Sequence, residues 1–327
     1  MTSENTCYDQ WVTSIDLSKT KVAKFPSLIL LCGGAVSNNG ATFKSCRDIF
    51  HHYITENNLS FRNNVVLVED VFKYFEHSSY NNLLDFEQDL AELSALTVLF
   101  SESPGAIAEL GSFSVLKNIR DRLLVVIHND DSDKESFIWR GPIKYLKCIA
   151  DQNNSIDPIF VYQWRKTAGP DDLLTKEDFA DAEDLSENII EILHKFPKTA
   201  IWKKDNNAHV MLFILDLIKI LQIASFDDIF KIIDDLSIDN DRKKLKRYLS
   251  LLLSLKFIIK KRYGHNVYYF PTQPDLWLKF AFQAGSKNID FDRWSSIFTE
   301  YYKTNEIRKI RALRSHYKGD KSTGVKQ

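Results

Sequence analysis

Apolar residues fall into two rhythms along this chain. In the first half, short unbroken apolar runs recur: Ser27 to Cys32, Val65 to Val68, Leu96 to Phe100, Leu123 to Ile127 and Pro158 to Tyr162. Such runs predict strands buried on both faces. Between them, apolar residues return at helical spacing over Phe43 to Ile54, Leu83 to Leu93, Pro104 to Arg120 and Leu185 to Phe196. Strands alternating with helices predict an α/β fold with a mostly parallel, doubly wound sheet. Strand order is not readable from the pattern. In the second half the rhythm is helical, over Val210 to Ile223, from a capped start at Ser225, and over Asp239 to Leu255. Lys256 to Phe270 then reads as a hairpin turning at Gly264, and Trp294 to Tyr317 as a further helix.

Charge sharpens this division. The chain has 327 residues and a net charge of −1, but residues 201–327 hold 24 Lys+Arg against 14 Asp+Glu. The remaining 19 and 30 fall in residues 1–200, so an acidic half precedes a basic half. The basic half suits nucleic acid or an acidic partner, or is simply a differently solvated domain. Three helices followed by a hairpin match a winged helix, whose third helix and wing usually face nucleic acid. The candidate contacts are Arg242, Lys243, Lys244, Lys246 and Arg247 on the helix and Lys260, Lys261 and Arg262 on the hairpin. Arg308, Lys309, Arg311 and Arg314 add charge to the last helix. Cys7, Cys32, Cys46 and Cys148 show no CxxC pair, which predicts reduced thiols in a cytoplasmic protein and no metal site. No apolar run approaches the roughly 20 residues that span a bilayer.

The candidate chemistry lies in the loops after the first three strands, where open α/β sheets bind ligands. They supply Gly33 and Gly34, Glu69 and Asp70, then Glu102, Ser103 and Gly105. Gly33-Gly34 is neither a GxGxxG nor a P-loop signature, and the loop after it carries Asn38 and Asn39. Taken alone, Glu69-Asp70 reads as a solvated strand end or a helix cap. Ser103 can cap a helix with Pro104 in its first position. Glu109 then falls in the second turn, where the helix dipole has faded, among Gly105, Ala106, Ala108 and Gly111. Two carboxylates, Glu102 and Glu109, at a strand-to-helix turn suit chemistry at a glycosidic carbon. Asp85, Glu87 and Asp89 read as a solvated helix face, and Trp139 and Arg140 as lining either a pocket or an interface.

At Glu102-Ser103-Pro104-Gly105 and Ala108-Glu109-Leu110-Gly111 the chain resembles the nucleoside 2-deoxyribosyltransferase superfamily. It more closely resembles retron-associated effectors that join such an N-glycosidase-like domain to a C-terminal winged helix. Further matching features are Leu31-Cys32-Gly33-Gly34, Arg47, Glu69-Asp70-Val71-Phe72, and Ser136-Phe137-Ile138 with Gly141-Pro142. The resemblance covers about residues 27–150; the second half matches in layout only. It implies an N-terminal extension (1–26), a nucleoside deoxyribosyltransferase-like N-glycosidase domain (27–200), a winged-helix domain (201–285) and a basic helical tail (286–327). It implies Glu109 as the carboxylate that attacks the sugar C1′ and Glu102 as the group that handles the base, with Gly33, Gly34, Glu69, Asp70, Ser103 and Gly105 around the substrate. The implied substrate is NAD, with no separate cofactor, and the implied partner is a retron reverse transcriptase with its RNA–DNA product, with self-association. The transferases commonly carry an Asp just before the third strand, where this chain has Leu93-Ser94-Ala95. That departure favours hydrolysis over base exchange. The alternatives are transfer or hydrolysis of nucleosides or nucleotides, and a nucleotide-sensing winged-helix regulator without catalysis.

Overall fold

The computed structural model describes residues 6–37, 42–72, 79–131, 135–167, 169, 171–195, 199–273, 275–285 and 290–320. Asn38, Asn39, Phe196 and the tail from 321 lie outside these. The first half runs α1 (Cys7–Ser14), β1 (Lys21–Val22), β2 (Ile29–Cys32), α2 (Cys46–Glu56), β3 (Val65–Leu67), α3 (Val68–Phe72), α4 (Leu83–Leu93) and β4 (Leu96–Phe100). It continues with α5 (Pro104–Val115), α6 (Lys117–Arg120), β5 (Leu123–His128), α7 (Lys144–Asn153), β6 (Ile159–Tyr162) and α8 (Ala182–Lys195). The second half comprises β7 (Ala200–Ile201), α9 (Asn207–Leu221), α10 (Phe226–Asp235), α11 (Arg242–Ser254), β8 (Ile258–Tyr263), β9 (Asn266–Pro271), β10 (Leu278–Lys279), α12 (Phe291–Asn305) and α13 (Ile307–Asp320).

The chain divides into two units, one of them spanning Pro26–Glu76 and Asn81–Pro197. This α/β unit is a five-stranded parallel sheet in the order β3-β2-β4-β5-β6. Every residue of β2, β4 and β5 is buried, which accounts for their unbroken apolar runs. Alternate residues serve the two faces. Leu31, Val98, Phe100 and Val126 join a core with α2 and α8, whereas α5 packs against β4 and β5 from the other side. Because β2 is flanked by β3 and β4, the chain reverses its direction of travel across the sheet there. The crevice at the carboxyl ends of β2 and β4 is thus the switch point of the sheet. The expected helix over Pro104 to Arg120 is two helices, parted at Leu116, whose backbone is extended.

The second unit gathers Met1–Phe25, His77–Tyr80 and Lys198–Gln327. Residues 6–22 are built into it: Tyr8, Trp11 and Ile15 of the polar-looking N-terminus are buried, and β1 pairs with β7 and β10. Helix α9 is the apolar centre, buried along most of its length. Its Asp216 accepts from the backbone N–H groups of Trp277 and Leu278, so β10 is tied to it. Helix α10 starts on a Ser225–Asp228 capping box. The β8–β9 hairpin turns at Gly264, whose φ of +61° lies in the left-handed region that glycine tolerates. Among the described residues no helix is long and apolar enough to cross a membrane. None of the four cysteines is bonded, and Cys7, Cys32 and Cys46 are buried.

Lys309 is not a surface charge. It is 3 % exposed, and its Nζ lies 3.0 Å from Asp228 and 2.5 Å from Glu306 and donates to Tyr8 Oη at 2.8 Å. One cation thereby fastens α1, α10 and α13 together. Removing it would leave two partly buried acidic groups without their cation. Lys309→Ala should therefore cost about 3 kcal/mol, measured by urea unfolding of the whole chain. A loss within about 0.5 kcal/mol, the level of an ordinary surface substitution, would show that the cluster does not hold the unit together.

Candidate active site

Glu102 is where the switch-point crevice is fixed. Its Oε1 accepts from the backbone N–H of Gly34 and of Arg47, each at 3.0 Å, and its Oε2 from Cys46 N–H at 2.7 Å. Cys46 and Arg47 open α2, so the carboxylate sits on that helix's unpaired donors, where an external anion would otherwise bind. Burial raises the Glu102 pKa, and the three backbone donors oppose that rise. The approach requires glycine: a Cβ on Gly34 would lie 2.6 Å from Ser45 Cβ and 3.1 Å from Glu102 Oε1. The glycine pair thus lets a protein carboxylate dock and does not cradle a phosphate. Ser103 caps α5, accepting from Ala106 N–H at 3.1 Å, and its hydroxyl faces Gly33 O at 3.5 Å.

Held by its own N–H, Arg47 turns a guanidinium that is 2 % exposed across the end of β2. Nη1 donates to Leu31 O at 3.0 Å and both terminal nitrogens reach the Glu69 carboxylate. Nε is buried with no hydrogen-bond partner among the described residues. Glu69 is therefore an ion-paired residue and not merely a solvated strand end. Asp70 beside it is exposed.

Glu109 faces this same cluster from α5. It is half-buried, and its Oε2 is closed off from solvent with no hydrogen-bond partner among the described residues. Burial raises its pKa; the adjacent Cys32 thiol, as a hydrogen-bond donor, and the Arg47 charge oppose the rise, while Glu69 adds to it. Cys32 itself is held well above the thiol range by burial and by the Glu109 and Glu87 charges, so it stays a protonated donor. Glu87 of α4 completes the group. Burial, then Glu109, then Glu69 push its carboxyl up to about 7. Sequence reasoning placed Glu87 on a solvated face, yet α4 buries Phe86, Asp89, Leu90, Ala91, Glu92 and Leu93. The signal was its place beside Phe86, on the arc shared with Leu90 and Ala91.

The predicted site residues thus fall into separate places. Glu109 is hydrogen-bonded by Cys32 and lies within the electrostatic reach of Arg47, Glu69 and Glu87. Glu102, Gly33, Gly34 and Ser103 form the joint that positions them. Gly105 is exposed, and a Cβ there would meet only Ser103 Oγ, at 3.9 Å. A cleft of about 570 Å³ lies over the carboxyl ends of the strands, lined by the predicted residues Gly34, Glu102 and Ser103 and by Lys44, Ile107 and Lys166 among others. Ile107 and Glu109 point to opposite sides of α5, so Glu102 lines the cleft whereas Glu109 lies on the other side of that helix start. Arg140 is an exposed partner of Glu135, in a π-helical turn over Trp139–Ile143.

In the other unit, the basic residues of α11 are not a free row. Arg242 pairs with Asp227 at 2.6 Å and lies over Phe226 and Phe230, and Lys244 pairs with Asp239 at 2.9 Å. Arg247 lies over Tyr80. Lys243 and Lys246 are exposed, as are Lys260 and Arg262 on the hairpin, while Lys261 is half-buried.

A carboxyl whose pKa is raised on folding binds its proton more tightly in the native state. The stability it contributes is complete below about pH 4.5 and is lost as pH rises through about 7. Thermal stability should therefore fall across that window, and Glu87→Gln should make the fall shallower, because an amide has no proton to release. An unchanged slope in Glu87→Gln would show that Glu87 titrates as an ordinary surface carboxylate.

Two relatives and one family match this chain. A protein of Escherichia coli named "Retron Ec73 putative ribosyltransferase/DNA-binding protein" is 25 % identical over 298 residues, 88 % of each chain. The retron Ec86 protein of the same species and designation is 32 % identical over 121 residues, 36 % of this chain and 37 % of its own. The profile of the STM3845 retron effector protein family matches residues 43–261, which takes in Arg47, Glu69, Glu87, Glu102, Glu109 and the hairpin as far as Lys261, while Cys32, Gly33 and Gly34 precede it. With two-thirds of its length matched, the chain belongs to the STM3845 retron effector protein family.

Proposed function

We propose that this retron effector is an N-glycosidase that hydrolyses the nicotinamide–ribose bond of NAD, with Glu109 as the carboxylate that meets the sugar. The observation that carries the reading is the Glu109 side chain: an acid withdrawn from water at the switch point of the sheet, with one oxygen uncommitted, beside a fixed guanidinium. An oxocarbenium-like centre at C1′ needs such a preorganised negative charge on one face. A Glu109 oxygen would attack C1′ as the C1′–N bond breaks. The bonding pair goes to the pyridinium nitrogen, so cationic nicotinamide leaves neutral and needs no proton. Water then cleaves the glycosyl ester, giving ADP-ribose, a proton and the free carboxylate.

This chemistry agrees with the state of Glu102. Its oxygens are committed to three backbone donors, so it is a positioning residue in this reading and not the acid on the leaving base. The departing group must be one that leaves without an acid, as nicotinamide does. Lys44 and Lys166 in the adjoining cleft would face the diphosphate. The unit containing α9, α10, α11 and the hairpin would act as a winged helix that holds the retron reverse transcriptase with its RNA–DNA product. The ribosyltransferase designation of the relatives favours the second reading, transfer between nucleosides.

Incubating the purified chain with NAD and, separately, with deoxynucleosides distinguishes these by chromatography. Nicotinamide and ADP-ribose should appear in equal amounts. Intact NAD alongside cleaved deoxynucleosides would establish the second reading. Ligand binding with no product from either would make the protein a sensor.

A further inference from the structure

Helix α13 presents a row of cations with no acidic partner among the described residues. Its inner side is buried through Lys309, Ile310, Ala312, Leu313 and His316. Its outer side carries Arg308, Arg311 and Arg314, all exposed, and none has an acidic partner among the described residues. At 1.5 Å per residue these guanidiniums are spread over about 9 Å of helix. Like charges at such spacing repel one another, so the row is a standing cost unless an anion meets it. The contrast with α11 is specific. There Arg242 and Lys244 are paired with Asp227 and Asp239, whereas Arg308, Arg311 and Arg314 are left open.

The hairpin extends the same surface. Residues 256–270 hold Lys256, Lys260, Lys261 and Arg262 and no acidic residue. The two elements are joined through His316, which stacks on Phe270 with ring centroids 4.1 Å apart. His316 Nδ1 also lies 2.9 Å from Lys261 Nζ, the ammonium group donating. A ring nitrogen, and not a carboxylate, thus faces the hairpin lysine at this joint.

We propose that the hairpin and the outer row of α13 form the surface on which this unit takes double-stranded DNA, with Arg308, Arg311 and Arg314 each holding a backbone phosphate. The inference rests on the reading that the second unit meets nucleic acid and says where it does so. A planar guanidinium matches phosphate oxygens in a two-pronged contact. A B-form duplex carries one charge per about 1.7 Å of axis, dense enough to serve all three arginines along one turn of groove edge. A bilayer is a poor fit, because the apolar side of α13 is already buried on its own unit and has nothing to insert.

The test uses the whole chain, a labelled DNA duplex of about 30 base pairs and anisotropy titrations between about 50 and 200 mM salt. Each phosphate contact contributes about 0.9 to the log–log salt slope. R308A/R311A/R314A should make that slope shallower by about 2.7, with its circular dichroism melt unchanged. R308K/R311K/R314K should keep the wild-type slope, because lysine retains the charge. A triple-alanine slope equal to wild type overturns the proposal, as does a loss confined to a stem–loop RNA with DNA binding unaffected. If the wild-type chain binds neither duplex nor stem–loop, the nucleic-acid reading itself fails; if it binds and only the triple-alanine effect is missing, the placement on α13 fails alone.

Discussion

The α/β unit depends on one buried carboxylate seated on the start of a helix. Glu102 leaves β4 and takes the first N–H groups of α2 and that of Gly34. Water would satisfy those donors at an exposed helix start; inside a crevice something else must. Supplying a side chain for the purpose binds the ends of β2 and β4 to one another and sets the rotation of α2. Arg47 follows from that rotation. Its backbone N–H is one of the three donors, so its guanidinium is delivered to the mouth of β2 from a fixed root.

The guanidinium in turn makes the carboxylate cluster tolerable. Glu69, which is exposed, and the half-buried Glu87 and Glu109 feel one another's charge, and three full negative charges there would repel. Arg47 neutralises Glu69 directly and its field offsets part of the burial of Glu109. Glu87, buried and facing the Glu109 and Glu69 charges, is raised to about 7. Burial thus raises both Glu87 and Glu109, with Arg47 opposing the rise at Glu109. The result is a half-buried Glu109 within the field of a fixed guanidinium, the setting asked of a carboxylate that meets a glycosidic carbon.

Much of this was legible in the sequence, for reasons that also explain what was not. Strands β2, β4 and β5 are buried on both sides, so their apolar runs are continuous and easily read. Their order was not, because parallel strands of equal apolarity carry no mark of who sits beside whom. The cap at Ser103 and the placing of Glu109 one turn later followed from local chemistry alone. Glu102 was visible as a carboxylate but not as an occupied one, since its partners are backbone groups 55 to 68 residues away. Glu87 was masked by Asp85 and Asp89, which give α4 the look of a wet helix. Trp11 was hidden in a polar stretch, although Tyr8, Trp11 and Ile15 already stand at the i, i+3, i+7 spacing of a packed face. Lys309 was counted with the surface charges because nothing local distinguishes it from Arg308.

The central claim is that the uncommitted, partly dry carboxylate of Glu109 performs the bond cleavage. Glu109→Gln is the direct test, since the amide keeps shape and burial while removing the charge. The measurement is the turnover of NAD by that variant beside its affinity for the dinucleotide. The account predicts wild-type binding, an unchanged unfolding midpoint or a slightly raised one, and turnover reduced to background. A variant that turns over NAD at the wild-type rate would contradict it.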